Sequence, residues 1–126
     1  MPELGPGRAP MDEPGPTIAE LLTMAADVVT MVQGQVEWVG VGLGVVSVRA
    51  TSQAAAEYLA WRLALGHVAD YEPTRTCEGF AVWSGGGWPE PEFKVFCGGD
   101  LVRPLRAFPR RELRTAPDTT ALPGAA

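Results

Sequence analysis

The chain has 126 residues, a length typical of one domain, and 46% of them are hydrophobic, as in globular rather than disordered proteins. Its formal net charge of −5 argues against general affinity for nucleic acid, because proteins that bind nucleic acid usually present a basic surface. The N-terminus lacks a basic region followed by an apolar run, and no apolar stretch is long enough to span a bilayer as a helix, so we expect a cytoplasmic protein without membrane contact.

Proline and glycine concentrate in the first sixteen residues, and the last residues contain little core material. We therefore predict a disordered N-terminal tail over residues 1–16 and a single α+β domain over residues 17–101. Residues 102–126 form a C-terminal tail that contains arginines and prolines and is largely disordered. Either Met1 or Met11 fits as the start of the protein.

The first helix is predicted from a capping box. Thr17 is followed three residues later by Glu20, so each side chain can bond to the backbone of the other. Apolar residues then recur at helical spacing as far as Val32, and Gly34 supplies the stop. We expect this helix to cover one face of a sheet.

A continuous strand is predicted over Val36 to Arg49, because apolar and β-branched residues alternate through it. Gly40, Gly42 and Gly44 fall on one face of that strand and leave its centre bare. Either a helix packs closely there or a ligand approaches the backbone. The spacing does not fit a dinucleotide-binding motif, since strand residues continue where a helix should open.

A second helix is predicted from a cap at Thr51 or Ser52 to about Leu65, with Gly66 as its end. Its first turn is rich in alanine. Small residues let a helix approach a sheet closely, so we expect this helix to dock on the glycine face of the preceding strand.

A short strand over Val68 to Tyr71 and a hairpin of Arg75–Ser84 with Glu92–Cys97 complete the predicted sheet. The expected register places Ser84 opposite Glu90 and Cys77 opposite Cys97. One face of this hairpin would carry six side chains: Cys77, Ala81, Trp83, Phe93, Val95 and Cys97.

Chemistry at the two cysteines is not indicated by the sequence. We expect Cys77 and Cys97 to be buried free thiols, because a disulfide needs an oxidising compartment. With His67 they supply at most three of the four ligands of a structural zinc site. A nucleophile pair of Cys77 and His67 would need the histidine within hydrogen-bond reach and a third group to orient it, whereas a lone histidine after a helix end more often interacts with the last carbonyls of the helix. We predict no catalytic residue, no cofactor and no metal.

Contact residues are predicted outside the core. Trp88 lies in a loop of glycines and prolines, and an exposed aromatic on a loop is a common binding anchor; its alternative is to fold back over the sheet edge. The candidate partner contacts are Trp88 and four arginines of the tail, Arg103, Arg106, Arg110 and Arg111. Such arginines can bind phosphates weakly and without sequence specificity.

The block from Val45 through Gly98 has a β-α-β-β outline with Trp83-Ser84-Gly85 before the last strand. In this it resembles small uncharacterised proteins of GC-rich bacteria and their phages. It is also similar to half of a paired βαβββ module of the vicinal-oxygen-chelate kind, with Ala60 to Gly66 where such modules end their helix in Leu-Gly. That family places metal ligands on its strands. The strands predicted here contain no histidine and the second module is absent, so the resemblance implies no site residues.

The sequence thus predicts an α+β fold with a three- or four-stranded, mostly antiparallel sheet, two packed helices and disordered termini. The leading hypothesis for function is a small noncatalytic binding or adaptor protein that acts through protein–protein contacts, including homodimerisation through a sheet edge or a helix. The first alternative is weak association with nucleic acid through the arginine tail. The second is a ligand-binding or enzymatic module related to βαβββ folds.

Overall fold

Alternating apolar residues and two capped helices organise the chain into a sheet covered on one face. The structure, a computed structural model, describes residues 15–87 and 90–109. The described elements are α1 (Ile18–Met31), β1 (Val36–Gly42), β2 (Val45–Ala50), α2 (Gln53–Arg62), β3 (His67–Tyr71), β4 (Phe80–Gly86) and β5 (Glu92–Gly98).

The sheet has five strands in the order β1-β2-β5-β4-β3. Neighbouring strands are antiparallel except β2 and β5, which are parallel. The α+β class with two helices is confirmed, whereas the sheet is larger and more mixed than predicted. From β2 onward the elements follow one another as βαβββ. The chain passes through α2, β3 and β4 before β5 pairs in parallel with β2.

The predicted continuous strand is wrong, because the chain reverses in its middle. Leu43 and Gly44 have φ angles of 55° and 75°, and they join β1 to β2 as an antiparallel hairpin. Positive φ at both central residues is the requirement of the tight turns that suit hairpin twist. The alternation of apolar residues passes through this turn unbroken, and for that reason the pattern resembles one long strand.

No helix of the described residues packs against the glycines of this hairpin. A Cβ atom built on Gly40, Gly42 or Gly44 would meet no atom within 4 Å in the described part of the chain. The expected docking of the second helix there is therefore wrong. α2 instead packs over β2, β4 and β5.

Both helices begin where the sequence predicts. In the capping box of α1, the amide of Thr17 donates to Glu20 Oε1 at 2.8 Å, and the amide of Glu20 donates to Thr17 Oγ1 at 3.1 Å. Ser52 caps α2 by accepting from the amide of Ala55 at 3.1 Å. α2 ends at Arg62, a few residues before the predicted end.

The core lies between the helices and one face of the sheet. α2 contributes small residues and one leucine, Leu59, and these pack on the buried side chains of β2, β4 and β5. α1 packs over β1 and β2, with Leu21 and Ala25 against Val46. The fully buried members include Leu21, Val28, Val32, Val46, Val48, Leu59, Leu65, Trp83, Val95, Cys97 and Phe108.

The register of the β4–β5 hairpin differs from the prediction by four residues. Gly86 pairs with Glu92 and Ala81 pairs with Cys97. Cys77 lies before β4 and is exposed, whereas Cys97 is buried. Both thiols are free, as predicted, but only one is buried. The strand runs further into the glycine-rich loop than expected, because glycine accepts the extended backbone as readily as it accepts a turn.

Residues 101–109 cross back over the domain, and we call them the C-terminal strap. Phe108 of the strap is buried in the core, and its amide donates to Leu65 O at 2.9 Å. The indole of Trp83 donates to Arg106 O at 2.7 Å. The packed domain thus continues beyond residue 101, the predicted domain end, while residues 110–126 lie outside the described part.

Candidate functional site

The sheet face opposite the helices is the candidate functional site, and we call it the open face. Strand alternation assigns residues to it: the buried Val46, Val48 and Ala50 of β2 face the helices, so Val45, Ser47 and Arg49 point the other way. No helix within the described ranges covers this face. The cross-strand register places its other main side chains as follows: Trp38, Lys94, Phe96, Phe80, Val82, Ser84, His67, Ala69 and Tyr71.

Four aromatic rings on the open face touch one another in a row that crosses the sheet, which we call the aromatic row. The ring centroids of Trp38 and Phe96 are 5.4 Å apart, and those of Phe96 and Phe80 are 6.3 Å apart. Tyr71 stacks on Phe80 at 4.8 Å with an interplanar angle of 19°. These separations are those of favourable aromatic pairs. The row therefore runs from one edge strand of the sheet to the other.

Its two ends are the most accessible parts. Trp38 on β1 is 44% exposed and Tyr71 on β3 is 50% exposed, while Phe80 and Phe96 are half-buried. The other half of the open face is polar, with Ser47, Lys94, Ser84 and His67 in register with one another. The open face thus has an apolar half beside a polar half.

β2 contributes no ring to the aromatic row; at that position it has Arg49, which pairs with Trp38 on one side and with Phe96 on the other. Its Nε lies 2.9 Å from Glu37 Oε1, and one terminal nitrogen lies 4.0 Å from Glu78 Oε1. The guanidinium covers Gly98, where an added Cβ would collide with it. Arg49 is thus held over the sheet mainly by its ion pair with Glu37, with Glu78 at a longer distance.

A cavity of about 360 Å³ lies beside the aromatic row, between the sheet and the segment before β4. Its lining residues are Arg49, Thr76, Cys77, Glu78, Phe80 and Phe96. Cys77 is exposed in the segment that forms its rim. A thiol nucleophile requires a base within hydrogen-bond reach, and the basic side chain in this lining, Arg49, is an obligate cation that cannot serve as one. The cavity thus opens beside Phe80 and Phe96 of the aromatic row.

Arg103 and Arg106 both contact other residues of the fold. Arg103 donates to both carboxylate oxygens of Asp70, at 2.7 and 2.8 Å. These hydrogen bonds lower the pKa of Asp70 and raise that of Arg103, with desolvation opposing both shifts. The guanidinium of Arg106 lies 4.9 Å from the ring centroid of Phe108. The remaining predicted contacts, Trp88, Arg110 and Arg111, lie outside the described residues.

The open face was not singled out as a site by the sequence, although a signal for it exists. The predicted β4–β5 face placed Trp83 and Val95 together, and this grouping is confirmed. The complementary positions of the same strands, Phe80 and Phe96, are also aromatic. Two apolar faces on one strand pair indicate either a second layer or an exposed contact surface.

The described ranges contain no group of three or more histidine, cysteine, aspartate or glutamate side chains placed to hold a metal ion. His67 begins β3, so a strand does carry a histidine, contrary to expectation. None of the described helices is long and apolar enough to cross a membrane. Comparison of the chain with protein-family models, curated proteins and solved structures found no match.

Proposed function

We propose that the protein is a small noncatalytic binding protein that acts through protein–protein contacts on its open face. The aromatic row carries this proposal. Aromatic side chains are enriched at the centres of protein interfaces, where they bury large areas with little loss of conformational entropy. A sheet face that only met water would have polar side chains at these positions.

The arrangement of charge favours a protein partner over a nucleic acid. The chain has a net charge of −5, which repels a polyanion. Arg49 lies beside Glu37, and Arg103 is bonded to Asp70. A partner with an apolar patch would cover the aromatic row, while the polar half around Lys94 would fix its orientation. We further propose a cytoplasmic location, which agrees with the unpaired state of Cys77 and Cys97.

Comparative affinity capture from the source cells tests this function. The bait proteins are the wild type, Tyr71→Glu and Val102→Glu. Tyr71 is 50% exposed on the open face, and Val102 is 75% exposed on the C-terminal strap, so neither change disturbs the core. A charge placed on the aromatic row must be desolvated when a partner covers it, which is costly.

The proposal expects at least one protein that the wild type and V102E capture equally and that Y71E retains at least about tenfold less, corresponding to about 1.4 kcal/mol of binding free energy. Nuclease treatment should leave this difference unchanged. Equal capture of every partner by all three baits would overturn the assignment to the open face. Loss of capture after nuclease treatment, together with steep salt dependence, would favour nucleic acid instead.

A further inference from the structure

The outer edge of β1 has no strand partner among the described residues, since β1 lies at one end of the sheet and pairs with β2 alone. It contains neither proline nor lysine, the residues that commonly protect such edges. Trp38 and Val39 on this strand are 44% and 40% exposed. Its bulge lies between Val36 and Trp38, so the backbone from Trp38 to Gly42 is regular. The edge is therefore able to accept another strand.

We propose that this other strand is β1 of a second copy of the same chain, paired antiparallel around a two-fold axis at Val39. Val39 lies within the regular segment that begins at Trp38, so the pairs next to the axis use only regular backbone. Trp38 of each protomer then lies opposite Gly40 of its partner, and both are on the open face. The space above Gly40 is empty, since an added Cβ would meet no atom within 4 Å among the described residues.

This pairing is also compatible with charge. Glu37 lies in the bulge, where its carboxylate is 2.9 Å from Arg49 Nε of the same protomer, and an axis at Val39 does not place the two Glu37 residues opposite each other. Like charges directly opposite each other destabilise a strand pair, whereas an aromatic ring over a glycine is a favourable cross-strand combination. The two Trp38 side chains become diagonal neighbours about 7 to 8 Å apart.

The helix above β1 supplies an independent observation. Ile18 and Leu22 of α1 are 54% and 55% exposed, and because they are four residues apart on a helix they form one apolar patch on the same flank. The opposite flank of α1 carries Asp27 and Met31, which line a cavity together with residues of α2. The flank with Ile18 and Leu22 therefore points away from α2, toward the edge of the sheet at β1.

Two-fold pairing of β1 brings these flanks together. α1 lies over both β1 and β2. With strands about 4.8 Å apart, the helix axis is about 5 Å from the two-fold axis, which places the two α1 helices about 10 Å apart. Helices pack at about 8 to 10 Å, so the exposed apolar flanks meet at contact distance. A dimer formed instead through the β3 edge would leave Ile18 and Leu22 exposed to solvent.

The dimer joins the two sheets into one of ten strands, and the two aromatic rows become continuous at Trp38. It leaves Tyr71 at each outer end of the combined face. Self-association thus enlarges the open face without covering it. The β1 dimer goes beyond the function proposed above, because it uses the outer edge of β1 and the flank of α1 and shares only Trp38 with the aromatic row.

Sedimentation equilibrium of the full chain, with Val39→Glu, Val39→Lys and their mixture, tests the dimer. Wild type should be dimeric. Each variant places like charges at the two-fold axis and should raise the dimer dissociation constant by about a hundredfold. The 1:1 mixture should restore a heterodimer, which would show that each variant is folded. Thr23→Glu, exposed on the solvent side of α1, is the matched control and should remain dimeric.

Oxidation of Val39→Cys in a Cys77→Ser background should give a cross-linked dimer, and T23C in the same background should not. A monomeric wild type at high concentration would overturn the inference. So would a dimer that V39E leaves unchanged, since its interface would lie elsewhere. Y71E should stay dimeric while it loses partner capture. A dimer without partner capture would therefore count against the proposed function alone, and capture by a monomer would count against the dimer alone.

Discussion

Arg103 binds the carboxylate of Asp70 through two parallel contacts, Nε to Oδ2 at 2.7 Å and Nη2 to Oδ1 at 2.8 Å. These contacts join the C-terminal strap to β3, which are separated by more than thirty residues in the sequence. A forked arrangement of this kind is specific in geometry as well as in charge. It shows that the first arginine of the basic segment is part of the fold.

The ion pair predicts a pH dependence for the strap. The hydrogen bonds from Arg103 lower the pKa of Asp70, so the folded state prefers the ionised carboxylate. The stability contribution is present above the ordinary pKa of aspartate and is lost as the pH falls through the lowered value. In Arg103→Leu, the pKa of Asp70 should return toward its ordinary value in an NMR titration of the carboxyl carbons.

Arg106→Leu is the matched control for that titration, because Arg106 contacts the ring of Phe108 and not Asp70. The pKa of Asp70 should be unchanged in R106L. If R103L and R106L moved this pKa equally, the shift would come from the general charge of the strap and not from the ion pair.

Phe108 predicts how strongly the strap stabilises the domain. Its side chain is buried, and the neighbouring Arg106 carbonyl accepts a hydrogen bond from Trp83 at 2.7 Å. Phe108→Ala removes a buried ring and leaves a cavity, so the free energy of unfolding should fall by about 3 to 5 kcal/mol in denaturant titrations. Val102→Ala, at a site that is 75% exposed, should change it by less than about 0.5 kcal/mol. If F108A lowered the free energy of unfolding as little as V102A does, the strap would not be packed on the core in solution.

Local signals in the sequence predict local structure well in this chain. The capping box of Thr17 and Glu20 and the cap at Ser52 depend on residues three apart, and both are confirmed. The short strand ending at Tyr71 is confirmed for the same reason. These features follow from neighbours along the chain and need no knowledge of the tertiary fold.

Features that depend on distant residues were not predicted. The parallel pairing of β2 with β5 joins segments on either side of α2, β3 and β4, and no local pattern specifies it. The burial of Phe108 depends on a pocket formed by the folded core. The aromatic row also assembles Trp38, Phe96 and Tyr71 from three strands, and only the sheet order brings them together.

The two thiols should react differently. Cys77 is exposed and Cys97 is buried, and burial raises the pKa of Cys97 to about 11 despite the nearby charge of Arg49. An aromatic disulfide reagent should modify one thiol in the native protein and two after unfolding. In Cys77→Ser, the native protein should show no rapid reaction, because thiolate is the reactive form. Rapid reaction of that variant would mean that Cys97 is accessible.

The raised pKa of Cys97 also predicts a loss of stability at alkaline pH. The folded state prefers the neutral thiol, so its contribution is present below the ordinary pKa of 9.0 and is lost as the pH rises through about 11. The difference in unfolding free energy between wild type and Cys97→Ala should therefore shrink over this interval. A constant difference from pH 8 to pH 11 would contradict the burial of an ionisable thiol.

The hairpin turn predicts a stabilising substitution. Leu43 has a φ of 55°, a left-handed conformation that costs a branched apolar residue free energy, and its side chain is fully exposed. Asparagine tolerates this conformation and, before Gly44, forms the pair preferred in two-residue hairpin turns. Leu43→Asn should raise the free energy of unfolding by about 0.5 to 1 kcal/mol. Gly44→Ala, at a φ of 75°, should lower it by about 1 kcal/mol, because alanine resists positive φ. If L43N instead destabilised the protein, Leu43 would have to make an apolar contact in solution, and its dependence on protein concentration would show whether that contact is with a second copy beside β1.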